Sequence, residues 1–195
     1  SLRDFALLYY GHVRYFRQYI ARALSIVPEE SVQIALAQIL SDEYGLSGNP
    51  SHPELFRQFM RSLSLRGNDW QRCSKPIVGI QEFRERHFEL FQDGKYPETM
   101  GAVVFGFERT TPYRHARVVE GLRKFTERTG RDVDPTFLRE HVTIDPHHSR
   151  SLLLPLQNML KDEHNVQHVI QGAAASFDAR KVLLDNLARC LGVQD

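Results

Sequence analysis

The sequence predicts an all-α fold, a bundle of about seven helices, on three observations. Apolar residues recur at steps of three and four along the chain, the period of a helix face and not the two-residue period of a strand. Helix-capping residues, Pro and Gly fall where those stripes begin and end. The 195 residues contain no repeat, low-complexity tract or linker-like stretch, so residues 1–195 read as one helical domain.

Residues 2–24 place Phe5, Leu8, Tyr9, Val13, Phe16, Ile20 and Leu24 on one stripe, the first amphipathic helix. Pro28, Glu29 and Glu30 open the second, because Pro suits the first helical position and acids suit the positive N-terminal end. It runs through Val32, Leu36 and Ile39 to a stop near Gly45, and Gly45, Gly48, Asn49 and Pro50 make a tight connection. Ser51 and Glu54 have capping-box spacing ahead of a third helix with Leu55, Phe56, Phe59, Met60 and Leu63. Residues 66–75 read as loop and 76–91 as a fourth helix, ended by Gln92, Asp93 and Gly94. The fifth segment, 99–111, is unusually apolar; Pro112 kinks or restarts it before it continues to about Arg128. Asp134 and Pro135 form an N-cap with Pro at the first helical position. They launch a helix through Phe137, Leu138 and His141 that Pro146 and Pro155 interrupt. The last helices span 162–191 through Val166, Ile170, Phe177, Leu184 and Leu187.

Twenty-five Lys and Arg against 24 Asp and Glu leave a formal charge of +1, which argues against nucleic acid or a membrane surface as partner. Cys73 and Cys190 are too few for a disulfide framework. No apolar run approaches the roughly 18 residues of a membrane span, so a cytoplasmic protein is expected. Phosphate-binding loops, dinucleotide fingerprints, nucleophile elbows and Cys-x-x-Cys are absent, leaving nucleotide and hydrolase chemistry without support.

The informative anomaly is polar residues on apolar stripes. Glu43 follows Ile39 by four, His52 shares a face with Leu55 and Phe59, and Glu108 follows Val104 by four. Leu138, His141, Asp145, His148 and Leu152 are spaced three, four, three and four, one continuous helical seam. Buried charges are paired or bind metal, and imidazole with carboxylate suits Fe, Mn or Zn. Two divalent cations against three carboxylates would leave such a site nearly neutral. Each residue also has a plainer reading: Glu43 as an exposed helix-end acid, His52 as cover for a helix start, Glu108 paired with Arg109 or Arg114, Asp145 as another N-cap before Pro. His164 and His168 read as a solvated helix start, His147 points off the seam, and His12 is a core or pocket histidine. Glu-x-x-His is absent, which argues against a ferritin-like diiron bundle.

The runs Tyr9-Tyr10-Gly11-His12-Val13, Asp42-Glu43-Tyr44-Gly45, Ser51-His52-Pro53-Glu54-Leu55, Phe107-Glu108-Arg109-Thr110-Thr111-Pro112 and His141-Val142-Thr143-Ile144-Asp145-Pro146-His147-His148 resemble the haem-oxygenase-like dimetal oxidases, across residues 5–190. The resemblance implies a haem-oxygenase-like bundle with Glu43, His52, Glu108, His141, Asp145 and His148 as ligands of two Fe ions. It implies O2 as co-substrate and a weakly held second iron, which Pro146 in the ligand helix would accentuate. Glu108, central in the apolar segment, is the expected bridging and catalytic carboxylate. The Glu43–His52 spacing is a residue or two longer than the family's.

The implied reaction is O2-dependent oxidation of a small carboxylate-bearing substrate, an amino acid or derivative, as in nitrile formation or N-oxygenation. Tyr9, Tyr10, Phe105 and Phe107 are candidate pocket walls, and Arg109 or Arg150 could clamp a carboxylate. An external electron donor and a homodimer are compatible with this reading. The alternatives are a fatty-acid oxidative decarboxylase, a haem- or organic-cofactor-binding relative, and a non-catalytic helical module.

Overall fold

The computed structural model of the chain describes residues 1–46, 48–72, 77–92 and 95–193. Those residues are helical without strands, and no helix among them is long and apolar enough to cross a membrane. In order they form α1 (Leu2–Val13), α2 (Phe16–Ile26), α3 (Glu30–Tyr44), α4 (His52–Ser62), α5 (Gly67–Arg72), α6 (Val78–Leu90), α7 (Tyr96–Gly101), a π-helical segment (Ala102–Glu108), α8 (Thr111–Thr129), α9 (Thr136–Met159) and α10 (Glu163–Leu191).

Eight of these helices have eleven residues or more, one beyond the seven or so expected, because the first stripe is two helices. The chain turns at Arg14 and Tyr15, whose N–H groups bond back to Tyr10 O and His12 O. Each half then serves a different core. Ala6, Tyr10 and Val13 of α1 pack with Phe56, Phe59 and Leu138, whereas Tyr19, Ile20 and Ala23 of α2 join the larger core with Leu36, Phe83 and Leu183.

Five further expectations need correction. Ser51 precedes α4 without a side-chain cap, because Glu54 pairs instead with Arg57 and Arg61. The stretch after Arg66 contains α5 rather than loop alone; Cys73, Asp93 and Gly94 lie outside the described residues. Pro146 and Pro155 do not interrupt α9, which is continuous across both. A proline forfeits one backbone hydrogen bond and crowds one carbonyl, and burial of Leu138, Leu152 and Leu156 along the same helix outweighs that cost. Residues 163–191 form one helix, with Asp162 accepting from His164 N. Pro112 does restart the chain as α8; α9 starts at Thr136 with Pro135, not Asp134, in the N-cap position, and Asp134 Oδ1 accepts from Thr136 N at 2.9 Å from one residue further out.

Gly101 and Gly172 let α7 and α10 cross backbone on backbone. A Cβ on Gly101 would run into Val169 O, and one on Gly172 into Glu98 O. The crossing fixes the start of the π-helical segment that carries Glu108.

His87 is fully buried in the larger core, its Nδ1 2.7 Å from Phe83 O and its Nε2 2.8 Å from Ser176 Oγ. The ring is therefore a neutral tautomer that donates to the carbonyl and accepts from the hydroxyl. Burial pushes its pKa down to about 3, while the unfolded chain takes up that proton near pH 6.5. The contribution of His87 to stability is thus intact above pH 6.5. It is lost at about 1.4 kcal/mol per pH unit as pH falls toward about 3. Denaturant titrations of metal-free protein between pH 7 and about 4.5 will show this loss. His87→Gln, which can keep both hydrogen bonds, will show a shallower one.

Candidate metal centre

α3 delivers Glu43 in its last turn, and Gly45 then takes a left-handed conformation (φ 73°) as its C-cap. A side chain there would strike the backbone of Asn49 and Ser51, so glycine permits a reversal tight enough to bring α4 straight back. His52, the first residue of α4, consequently stands with Nδ1 2.6 Å from Glu43 Oε1. The longer Glu43–His52 spacing is absorbed in that turn. His141 of α9 completes the group, its Nε2 3.9 Å from Glu43 Oε1. Its Nδ1 donates to Phe137 O at 2.7 Å, which fixes the ring and leaves Nε2 as the ligating nitrogen.

A second group assembles from the π-helical segment and α9. The wide turn is marked by Arg109 N bonding five residues back to Val104 O, and such turns recur at functional sites. Glu108 closes it, with Oε2 3.2 Å from His148 Nδ1. Asp145 Oδ1 lies 3.9 Å from the same nitrogen. His148 Nε2 is held by Asp42 Oδ2 at 3.0 Å, which turns Nδ1 toward the acids. The six residues, all 2–7% exposed, thus form two triads, Glu43–His52–His141 and Glu108–Asp145–His148. Within each, the candidate ligand atoms lie within 4.8 Å of one another.

Burial raises the Glu43 carboxyl, but the imidazoles of His52, His141 and His148 outweigh it and hold it below its ordinary value. His52 moves up in return, Glu43 overcoming its burial. Burial and then the Glu108 and Glu43 charges push Asp145 well above the carboxylate range. Burial raises Glu108 as well, against the opposing pull of His148, and holds His141 down to about 3. Three acids crowded in a dry site repel one another and call for cations. The donor set, three imidazoles and three carboxylates, suits iron. Glu108 Oε2 also makes no hydrogen bond of acceptable geometry despite being buried. These residues fit a pair of divalent ions.

Five of the six open on one cavity, whose walls include Tyr9, Phe16, Arg114, His115 and Arg180. The residues proposed for substrate contact are distributed differently. Tyr9 lines the cavity. Tyr10 is buried against Phe56, its hydroxyl accepting from Arg57 Nη1 at 2.9 Å. Phe107 is core, packed against Phe16 and His87. Phe105 lines a separate apolar groove beside Ile170 and Phe177. Arg109 and Arg150 line a more open groove that also reaches Glu108. Sequence reasoning missed Asp42, Arg114, His115 and Arg180. His115 and Leu122, one heptad apart on α8, are buried together, a stripe that could have revealed the first of them.

No curated protein matches this chain. A family model described as iron-containing redox enzyme matches residues 3–181, a span that contains all six candidate ligands. The chain therefore belongs to the iron-containing redox enzyme family.

Proposed function

We propose that this chain is an O2-dependent diiron oxidase acting on a small carboxylate-bearing molecule, an amino acid or close derivative. One observation carries the reading: two buried His/carboxylate triads stand side by side, sharing α9, on a single cavity. Two Fe(II) ions bound there would supply the electrons that reduce O2.

The protein's part is positioning, proton control and exclusion of water. Glu43, His52 and His141 would hold one ion, and Glu108, Asp145 and His148 the other. Glu108 is the carboxylate that the wide turn of the π-helical segment brings to the second triad. Phe137 O and Asp42 orient His141 and His148 so that one defined nitrogen of each faces the site. His115 lines the cavity with an unpartnered Nδ1, and burial, with His141 beside it, keeps its ring neutral. Its Nδ1 is free to hydrogen-bond with substrate. The aromatic walls, Phe16 and Phe137, exclude bulk water.

Anaerobic Fe(II) titration followed by stopped-flow mixing with O2 tests the reading. About two irons per chain and rapid O2 uptake that scales with iron content are expected. Fewer than one iron per chain, or O2 uptake no faster than free Fe(II), would overturn it.

A further inference from the structure

We propose that Arg180, with Arg114 beside it, is the anchor that binds the substrate's carboxylate. The inference rests on the reading that substrate meets the irons in this cavity, and it assigns the recognition site to α10 and α8.

Arg180 is only 6% exposed, yet its guanidinium lines the cavity. Its Nη1 lies 3.1 Å from His12 Nε2, and the carbon of its head group sits 4.5 Å from the Phe83 ring centre. Its Nε has no hydrogen-bond partner. Among the described residues no carboxylate pairs with it: the charged group that acts on it is the neighbouring Arg114. Arg114 donates to the hydroxyls of Thr110 and Thr111 at 2.6 and 2.8 Å, so neutral oxygens are its partners.

Two guanidiniums facing one dry cavity, neither held in an ion pair with a carboxylate among the described residues, form an incomplete charge set. A buried cation without a counter-ion is among the costliest arrangements a fold can hold. An anionic ligand completes it. The planar Nε/Nη fork matches the two oxygens of a carboxylate, while the acids of the metal centre oppose a more highly charged anion such as phosphate. Asp145 acts on Arg114 but on Arg180 no acid does. A carboxylate held by Arg180 leaves the rest of the molecule in the cavity that the ligand residues line. Burial, and then the Arg180 charge, keeps the His12 imidazole neutral, so its Nε2 accepts from Arg180 Nη1 and holds the fork in place.

The test is calorimetric titration of anaerobic Fe(II)-loaded protein with the twenty L-amino acids, their primary carboxamides and inorganic phosphate. Iron content and O2 uptake are measured on the same samples. At least one amino acid will bind wild type, its carboxamide will bind roughly tenfold to hundredfold more weakly, and Arg180→Met will lose a similar factor. Arg180→Lys, which keeps charge but not the fork, will fall between and carries the comparison if Arg180→Met does not fold. Metal-free Arg180→Met will melt no lower than wild type, whereas a purely structural arginine would leave a less stable protein.

Absence of amino-acid binding, equal binding of acid and amide, stronger binding of phosphate, or unchanged affinity in both Arg180 variants would overturn the anchor. Wild type that loads two irons and consumes O2 while failing those criteria sinks the anchor alone. Arg180-dependent binding by a protein that takes up no iron sinks the diiron reading alone.

Discussion

His148→Ala will lower bound iron from about two ions per chain to about one and abolish O2-dependent turnover. His148 is the only imidazole of the second triad and closes it through Nδ1, with Asp42 holding its far side. Glu43, His52 and His141 are untouched by the change and should keep their ion. Metal analysis after anaerobic loading, with O2 uptake on the same sample, reads both effects. Asp145→Asn supplies the complementary test. Burial and neighbouring acids make the Asp145 carboxylate a liability in the metal-free protein. Removing its charge should raise metal-free stability by roughly 1–2 kcal/mol while weakening iron binding, the usual exchange between stability and a strained site. A metal-free Asp145→Asn protein that melts below wild type would contradict that account.

Gly172→Val should produce a large loss of stability. The new side chain meets the carbonyl of Glu98, and backbone cannot step aside as a flexible side chain can. Overpacking of this kind costs about 3 kcal/mol, or about 6–12 °C in melting temperature for a chain of this size. The damage should reach the metal centre, because α7 leads into the segment ending at Glu108; iron content at saturating Fe(II) is the readout. Gly121→Ala on α8 is the control, since nothing lies within 4 Å of its added Cβ. There the better helix propensity of alanine should raise stability by up to about 1 kcal/mol.

The candidate ligands were legible because a charged residue on an apolar stripe contradicts its surroundings, and five such contradictions plus His52 converge in space. Arg180 breaks the α10 stripe between Ser176 and Leu183 in the same way. Arginine, however, often buries its stem and leaves its head in water, so sequence alone does not separate a snorkelling head from a buried one. The turn at Arg14 and Tyr15 was invisible because both halves face inward and the stripe runs unbroken across it. The π-helical segment is apolar on every side, so the extra residue in its turn leaves no mark on periodicity. The prolines of α9 misled for the opposite reason: a strong local rule was overruled by packing along the whole helix.

Those two prolines have a further consequence for the centre itself. Each leaves the carbonyl four residues before it without its backbone partner, and Pro146 puts such a gap within the ligand-bearing stretch of α9. Pro146 falls between Asp145 and His148, while His141 lies wholly on the near side. The two triads accordingly stand on unequal footing: the first meets α9 on one side of that gap, and the second straddles the proline.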